Sequence, residues 1–356
     1  MKKLVLILVL IVNSLFAQEN SQPLAAYKID SLWYFIDYNG NHLFEPVELE
    51  NVKGYSEGLF AVSQKVDGKE VWGYLDLKGK FVIKPQFKKA GLFSDGWGLV
   101  LKISNINRFP IAINFVNKHN EFLLEKDVID ALDFSESKTF VMTKERKTFY
   151  IDNYGKILFE LGENFGGKFS NGFATITNMD YRVGFIDSTG KQICDFKFDN
   201  AKQFSQGLAP AYFIDKFGYI DTSFNFVIEP RFDYTHPFIE DRAFVGAADT
   251  RSFKKFWGLI DKKGNLISEF KYKSVWDFSE GLAAVRYNDG WGFIDKKGHW
   301  FISPTYYFCA SFINGLAWVT TKDKEKSGYI NKSGEFILEI DKFDKLIDLR
   351  LNKRMY

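Results

Sequence analysis

Cysteine, histidine and methionine are scarce, with two, four and four residues in a chain of 356. Two cysteines cannot build a disulfide framework, and four histidines leave little for a metal centre or for His-based catalysis. An excess of one charge sign is also missing. Lys plus Arg number 47 against 45 Asp plus Glu, with the signs interspersed, whereas a nucleic-acid binder needs a basic stripe to neutralise phosphates. One extended basic cluster, residues 84–89, is interrupted by Pro85, Gln86 and Phe87 and reads as a solvated strand edge. What the chain has in excess is aromatic side chains, 18% of residues with 38 Phe. With 46% hydrophobic and 26% charged residues, it is neither disordered nor membrane-embedded beyond its first segment.

That segment has the layout of an export signal. Lys2 and Lys3 precede an apolar run, Leu4 to Phe16, and Ala17-Gln18 is a plausible cleavage point. The run is too short to span a bilayer comfortably. The expectation is a signal peptide over 1–17 and a protein that is periplasmic, cell-surface or extracellular, with no stable membrane insertion after cleavage; an uncleaved anchor is the alternative. No cysteine follows the run, which excludes a lipoprotein anchor.

Self-comparison reveals a repeat. Trp72-Gly73-Tyr74-Leu75-Asp76 recurs as Trp257-Gly258-Leu259-Ile260-Asp261 and as Trp291-Gly292-Phe293-Ile294-Asp295, with weaker copies ending at Asp37, Asn117, Asp152, Asp187, Asp221 and Asn331. Nine units result, spaced 34 to 41 residues apart. A second block follows each of the first eight anchors, as in Phe93-Ser94-Asp95-Gly96 and Phe278-Ser279-Glu280-Gly281. These blocks resemble the WG repeat, a short β-rich bacterial repeat, from about Trp33 to about Leu346. The third unit departs most, with Ile113-Asn114 for Trp-Gly and Ser137 for the final Gly; the sixth has Phe238-Ile239-Glu240-Asp241 in place of the second block. The resemblance implies an architecture and no particular activity.

Within each unit the residue before the anchor is aliphatic, and the one before that is aromatic in eight of nine copies. Adjacent strand residues face opposite ways, so both faces of this strand are expected to be buried. The anchor Asp with Gly three residues on has hairpin-turn chemistry. Proline nine residues past the anchor, at Pro46, Pro85, Pro230 and Pro304, ends the next strand or places it on an edge. Each unit is therefore expected to be a three-stranded antiparallel meander, and neighbouring units must cover its faces. The expected fold is all-β, with units stacked into an open curved array or superhelix; a closed β-propeller-like ring is the alternative. The expected organisation is a lead-in over 18–32, nine repeats over 33–346, and a C-terminal tail or cap over 347–356.

Few residues suggest chemistry. An array of anchor carboxylates could suggest calcium, but each turn offers only one, and calcium needs six to eight oxygens. The Trp column, Trp33, Trp72, Trp257 and Trp291, reads as core. Trp97, Trp276, Trp300 and Trp318 lie off that column and are the candidate ligand contacts. Cys194 and Cys309 occupy different core-like columns, which disfavours a disulfide, and His42, His119, His236 and His299 show no ligand spacing. Glu160, Glu163 and Asp180 cluster near the fourth unit without forming a catalytic motif. No catalytic, metal or cofactor residue is expected. The function expected is a noncatalytic exported scaffold that binds protein or peptide partners; the alternative is a glycan binder using exposed aromatics.

Overall fold

The computed structural model describes residues 22–103, 112–248, 255–340 and 343–354. The expected signal segment lies outside them. The described residues form seven antiparallel sheets and no helix, and the chain divides into two compact units, residues 1–125 with 342–356, and residues 126–341.

The second unit shows the repeat most clearly. Its third to sixth sheets have four strands each, in chain order. In the fifth these are Asn200–Ala201, Ala209–Phe213, Lys216–Ile220 and Phe226–Phe232; in the sixth, Tyr234–Thr235, Ala243–Ala248, Lys255–Ile260 and Leu266–Tyr272. The expected three strands are therefore four, and the sheet is out of phase with the sequence unit. The Gly-Leu-Ala strand pairs with the Trp-Gly strand that follows it. The extra strand is only two residues long and carries the small-residue column of Ala131, Gly166, Ala201 and Val275. In the seventh sheet the long strand Trp300–Cys309 bends from one partner, Gly290–Asp295, to the next, Ala317–Thr321, giving seven strands.

Burial on both faces follows the alternation of the central strand. Leu259 and Ile260 are adjacent and fully buried, but Ile260 packs with Tyr219, Ile228 and Val245, whereas Leu259 packs with Phe278, Ala283 and Ile294. One residue faces the fifth sheet and its neighbour the seventh. Each such side chain contributes roughly 1.5–3 kcal/mol through burial, which a single four-stranded sheet could not provide.

Two turn motifs hold the sheets in register. Asp76 Oδ1 accepts from the backbone N–H of Lys78 and Lys80, at 2.8 and 2.9 Å, and the same pair of bonds recurs at Asp37, Asn117, Asp152, Asp187, Asp221, Asp261, Asp295 and Asn331. The anchor column is a turn column. The Phe-Ser-x-Gly block is a two-residue turn with positive φ at both central positions, 56° at Glu280 and 83° at Gly281, the geometry of a type I′ turn. Its Ser ties one sheet to the next: Ser135, Ser170, Ser205 and Ser279 donate to the carbonyls of Phe169, Phe204, Phe238 and Phe312 at 2.5–2.9 Å. The following acid accepts from the next turn's Gly N–H, Glu136 from Gly172 and Glu280 from Gly315.

In the first unit, the second sheet runs from Asn51–Ser56 to Ile113–Val116. The first sheet holds both ends of the described chain, since Lys345–Asp348 pairs antiparallel with Pro23–Ile29. The C-terminal residues, including part of the segment expected as a tail or cap, provide strands to this sheet. Leu346 and Ile347 are buried there, and Asp348 is fully buried in an ion pair with Arg350 at 2.6 Å.

Candidate functional site

The Trp-Gly strand and the strand after it meet at a fixed pair of residues. The partners are Trp72 with Phe87, Val183 with Phe198, Phe217 with Phe232, Trp257 with Tyr272, and Trp291 with Tyr306. Every pair carries at least one aromatic ring. The glycine after Trp permits this closeness: a Cβ on Gly292 would lie 2.5 Å from the carbonyl oxygen of Ile302, and one on Gly73 2.5 Å from that of Ile83.

The third sheet breaks the pattern. Thr148 stands in the Trp column, Phe149 replaces Gly, and the facing residue is Gly162. Without the glycine the outer strand, Ile157–Gly162, takes a different register, Phe149 opposite Glu160 and Tyr150 opposite Phe159. Thr148 partners a residue fourteen positions on, one fewer than in the regular sheets. Its hydroxyl donates to the Gly162 carbonyl at 2.8 Å. Both bulky side chains are therefore missing from one slot.

A cleft of about 690 Å³ opens there. Its apolar lining is Ile129, Met142, Phe165 and Met179; its charged lining is Glu145, Arg146, Lys147, Glu160 and Glu163. Phe165 is 42% exposed and Met179 61%. None of the five charged groups forms an ion pair among the described residues. Hydrogen bonds from its own backbone N–H and from Thr143 hold the Glu145 carboxyl below its ordinary range. Glu160 and Glu163 were legible as a cluster in the sequence, but the cleft between them was not, because it depends on what faces Thr148.

The four tryptophan candidates do not converge. Trp318 is fully buried, 5.2 Å from the Tyr329 ring, which corrects its assignment as a ligand contact: its strand position faces the core. Trp97 and Trp276 are half-buried, and Trp276 packs edge-on against Phe308. Trp300 alone of the four is exposed, at 39%, with Tyr272 and Tyr287 about 6 Å away. The Trp column is core, with Trp33, Trp257 and Trp291 buried and Trp72 half-buried.

One polar pair resembles catalytic geometry. His236 Nδ1 lies 2.6 Å from Asp277 Oδ1, with Trp257 edge-on at 4.5 Å. Lys202 is nearby, its pKa lowered chiefly by burial, with Lys255 acting in the same direction. Among the described residues no hydroxyl or thiol bonds to the other nitrogen of His236, so the pair has a base and an orienting group but no nucleophile. Cys194 and Cys309 are free and buried, and burial raises both thiols.

Five stretches match the model of the WG containing repeat: residues 72–102, 184–212, 217–246, 257–291 and 291–324. Five copies of a unit similar to the WG repeat are thus found along the chain. The remaining units, at Trp33, Ile113, Thr148 and Ser327, lie outside those matches, and the Thr148 unit is the one with the cleft. No curated protein matches the sequence. Among solved structures, "Crystal structure of the eukaryotic initiation factor" aligns at TM-score 0.63 with 11% identity, covering 91% of this chain and 98% of that one. The structure of BamB from Moraxella catarrhalis aligns at TM-score 0.47 with 11% identity, covering 85% and 97%. The first likeness is one of fold.

Proposed function

We propose that this chain is a noncatalytic, exported repeat scaffold that binds protein or peptide partners. The observation that carries the reading is the cleft at Thr148 and Gly162, where the ring pairs of the sixth and seventh sheets have no counterpart and exposed Phe165 and Met179 form part of the lining. Natural chains seldom leave a large apolar-lined depression uncovered unless it contacts something. The recurring polar groups support the scaffold role, since the anchor carboxylates and the block serines are used in turns and in ties between sheets. In-cell photo-crosslinking from position 181, beside the exposed Tyr181 hairpin, tests it. A discrete protein adduct in the exported fraction is expected; a cytoplasmic location, or no adduct from this or any exposed position, would sink the reading.

Exposed Trp300, with Tyr272 and Tyr287 beside it, favours a second reading, glycan binding. Aromatic faces stack on sugars. Binding to a glycan array that disappears in Trp300→Ala at unchanged thermal stability would establish that reading and displace the first.

A further inference from the structure

From the vacated slot we infer the chemistry of its occupant: an aromatic side chain of a partner peptide, next to a Lys or Arg. The inference rests on the scaffold reading and names the ligand of that cleft. In the sixth and seventh sheets the corresponding positions hold the protein's own rings, Trp257 opposite Tyr272 and Trp291 opposite Tyr306, so an aromatic side chain is what the repeat places at this point. In the third sheet Thr148 and Gly162 supply none of that bulk. A ring entering the slot replaces what the repeat omits, and an aromatic side chain buries about 150–250 Å² when it does so.

The walls suit such a guest. Two of the chain's four methionines, Met142 and Met179, line this cleft. Unbranched thioethers adapt their shape and make favourable contacts with ring edges. Phe165 offers a ring face from the neighbouring sheet.

Charge selects the flank. Glu160 lies on the strand that lacks the ring and Glu163 in the turn just past its last residue, Gly162, and neither is neutralised by an ion pair among the described residues. Arg146 and Lys147 lie on the hairpin before Thr148, together with a third carboxylate, Glu145. A cation beside the guest ring therefore meets two carboxylates, whereas an acidic residue there meets repulsion.

The test is affinity selection from a random dodecapeptide display library on the full chain, followed by affinity measurement with the selected synthetic peptides. The expected sequences are enriched in Phe, Tyr or Trp next to Lys or Arg. Thr148→Trp, which restores the repeat's own ring, should weaken their binding by about tenfold or more, as loss of a buried anchor does. Because that variant alters a buried position, Phe165→Ala and Met179→Ala serve as surface controls that leave the core untouched and should weaken binding similarly. Glu160→Gln with Glu163→Gln should weaken only peptides carrying the cation. Selected peptides without aromatic enrichment, or peptides whose affinity is unchanged in all three wall variants, overturn the inference. Peptides that bind elsewhere on the chain overturn it while leaving the scaffold reading intact, since crosslinked adducts would persist in Thr148→Trp. Glycan binding blocked by Thr148→Trp would also overturn it.

Discussion

The third and seventh sheets share the turn anchor and the aliphatic column, and they differ where the Trp-column strand meets the strand after it. In the seventh, Trp291 faces Tyr306 and Gly292 lets the outer strand close onto the inner one. In the third, Thr148 faces Gly162, and Phe149 sets a different register for the outer strand. Both sheets keep the turn anchor, Asp295 and Asp152, with the same two backbone bonds. The frame of the repeat thus comes from its turns and from the aliphatic column, whereas the Trp-Gly pair decides whether the slot beside that frame is full or empty.

The strongest way to break this contrast is to impose the third sheet's pair on the seventh. Trp291→Thr with Tyr306→Gly removes a buried indole and a half-buried phenol, and should cost about 4 kcal/mol or more. The readout is the thermal unfolding midpoint. A small loss would mean that these rings are not the packing that closes the slot. Next in size, Gly292→Ala places a methyl group against the Ile302 carbonyl oxygen and should cost about 2–3 kcal/mol. Phe149→Ala, at the equivalent place in the third sheet, should cost about 1 kcal/mol. Equal losses at the two positions would deny that the glycine exists for close strand approach.

Much of this frame could be read from the residues. Asp and Gly three apart announced the turn, and adjacent aromatic and aliphatic columns, as at Leu259 and Ile260, required burial on both faces. The fourth strand could not be read, because Asn200–Ala201 is two residues long and its small side chain looks like linker. The C-terminal strand was hidden for a different reason. Lys345–Asp348 lies some 300 residues from its partner, Pro23–Ile29, and nothing local in either segment specifies the other. The cleft was half legible: Thr148 was visible as a weak substitute for Trp, but its facing residue depends on a register that shifts by one when Gly is replaced.

A third contrast concerns polar ties. Tyr150 in the third sheet donates to the Gly167 carbonyl at 2.5 Å, while Leu259 and Phe293 hold the same column in the sixth and seventh sheets without a hydroxyl. Tyr150→Phe should cost about 1 kcal/mol at neutral pH. Burial pushes the Tyr150 phenol up, so the folded chain keeps this proton at a pH where the unfolded chain loses it. The stability that results is present below about pH 10, the unfolded value, and is lost as pH rises beyond it. Denaturant midpoints measured from pH 8 to pH 11 should therefore fall less steeply in Tyr150→Phe. An identical slope in both proteins would show that Tyr150 is not the group that titrates.

The smallest effect should be a gain. The turn after the third sheet's first strand ends in Ser137, whereas the seventh sheet's equivalent is Gly281; both adopt positive φ, 59° and 83°. A side chain held in the left-handed region costs roughly 1–2 kcal/mol relative to its relaxed conformation, and glycine escapes that cost at the expense of a more flexible unfolded chain. The two terms oppose each other. Ser137→Gly should thus stabilise by about 0.5–1 kcal/mol, read as a rise in the unfolding midpoint, and Gly281→Ser should lower it by a similar amount. If Ser137→Gly lowers the midpoint instead, the serine side chain contributes a contact worth more than the strain, and this turn would be adapted to its place rather than merely tolerated there.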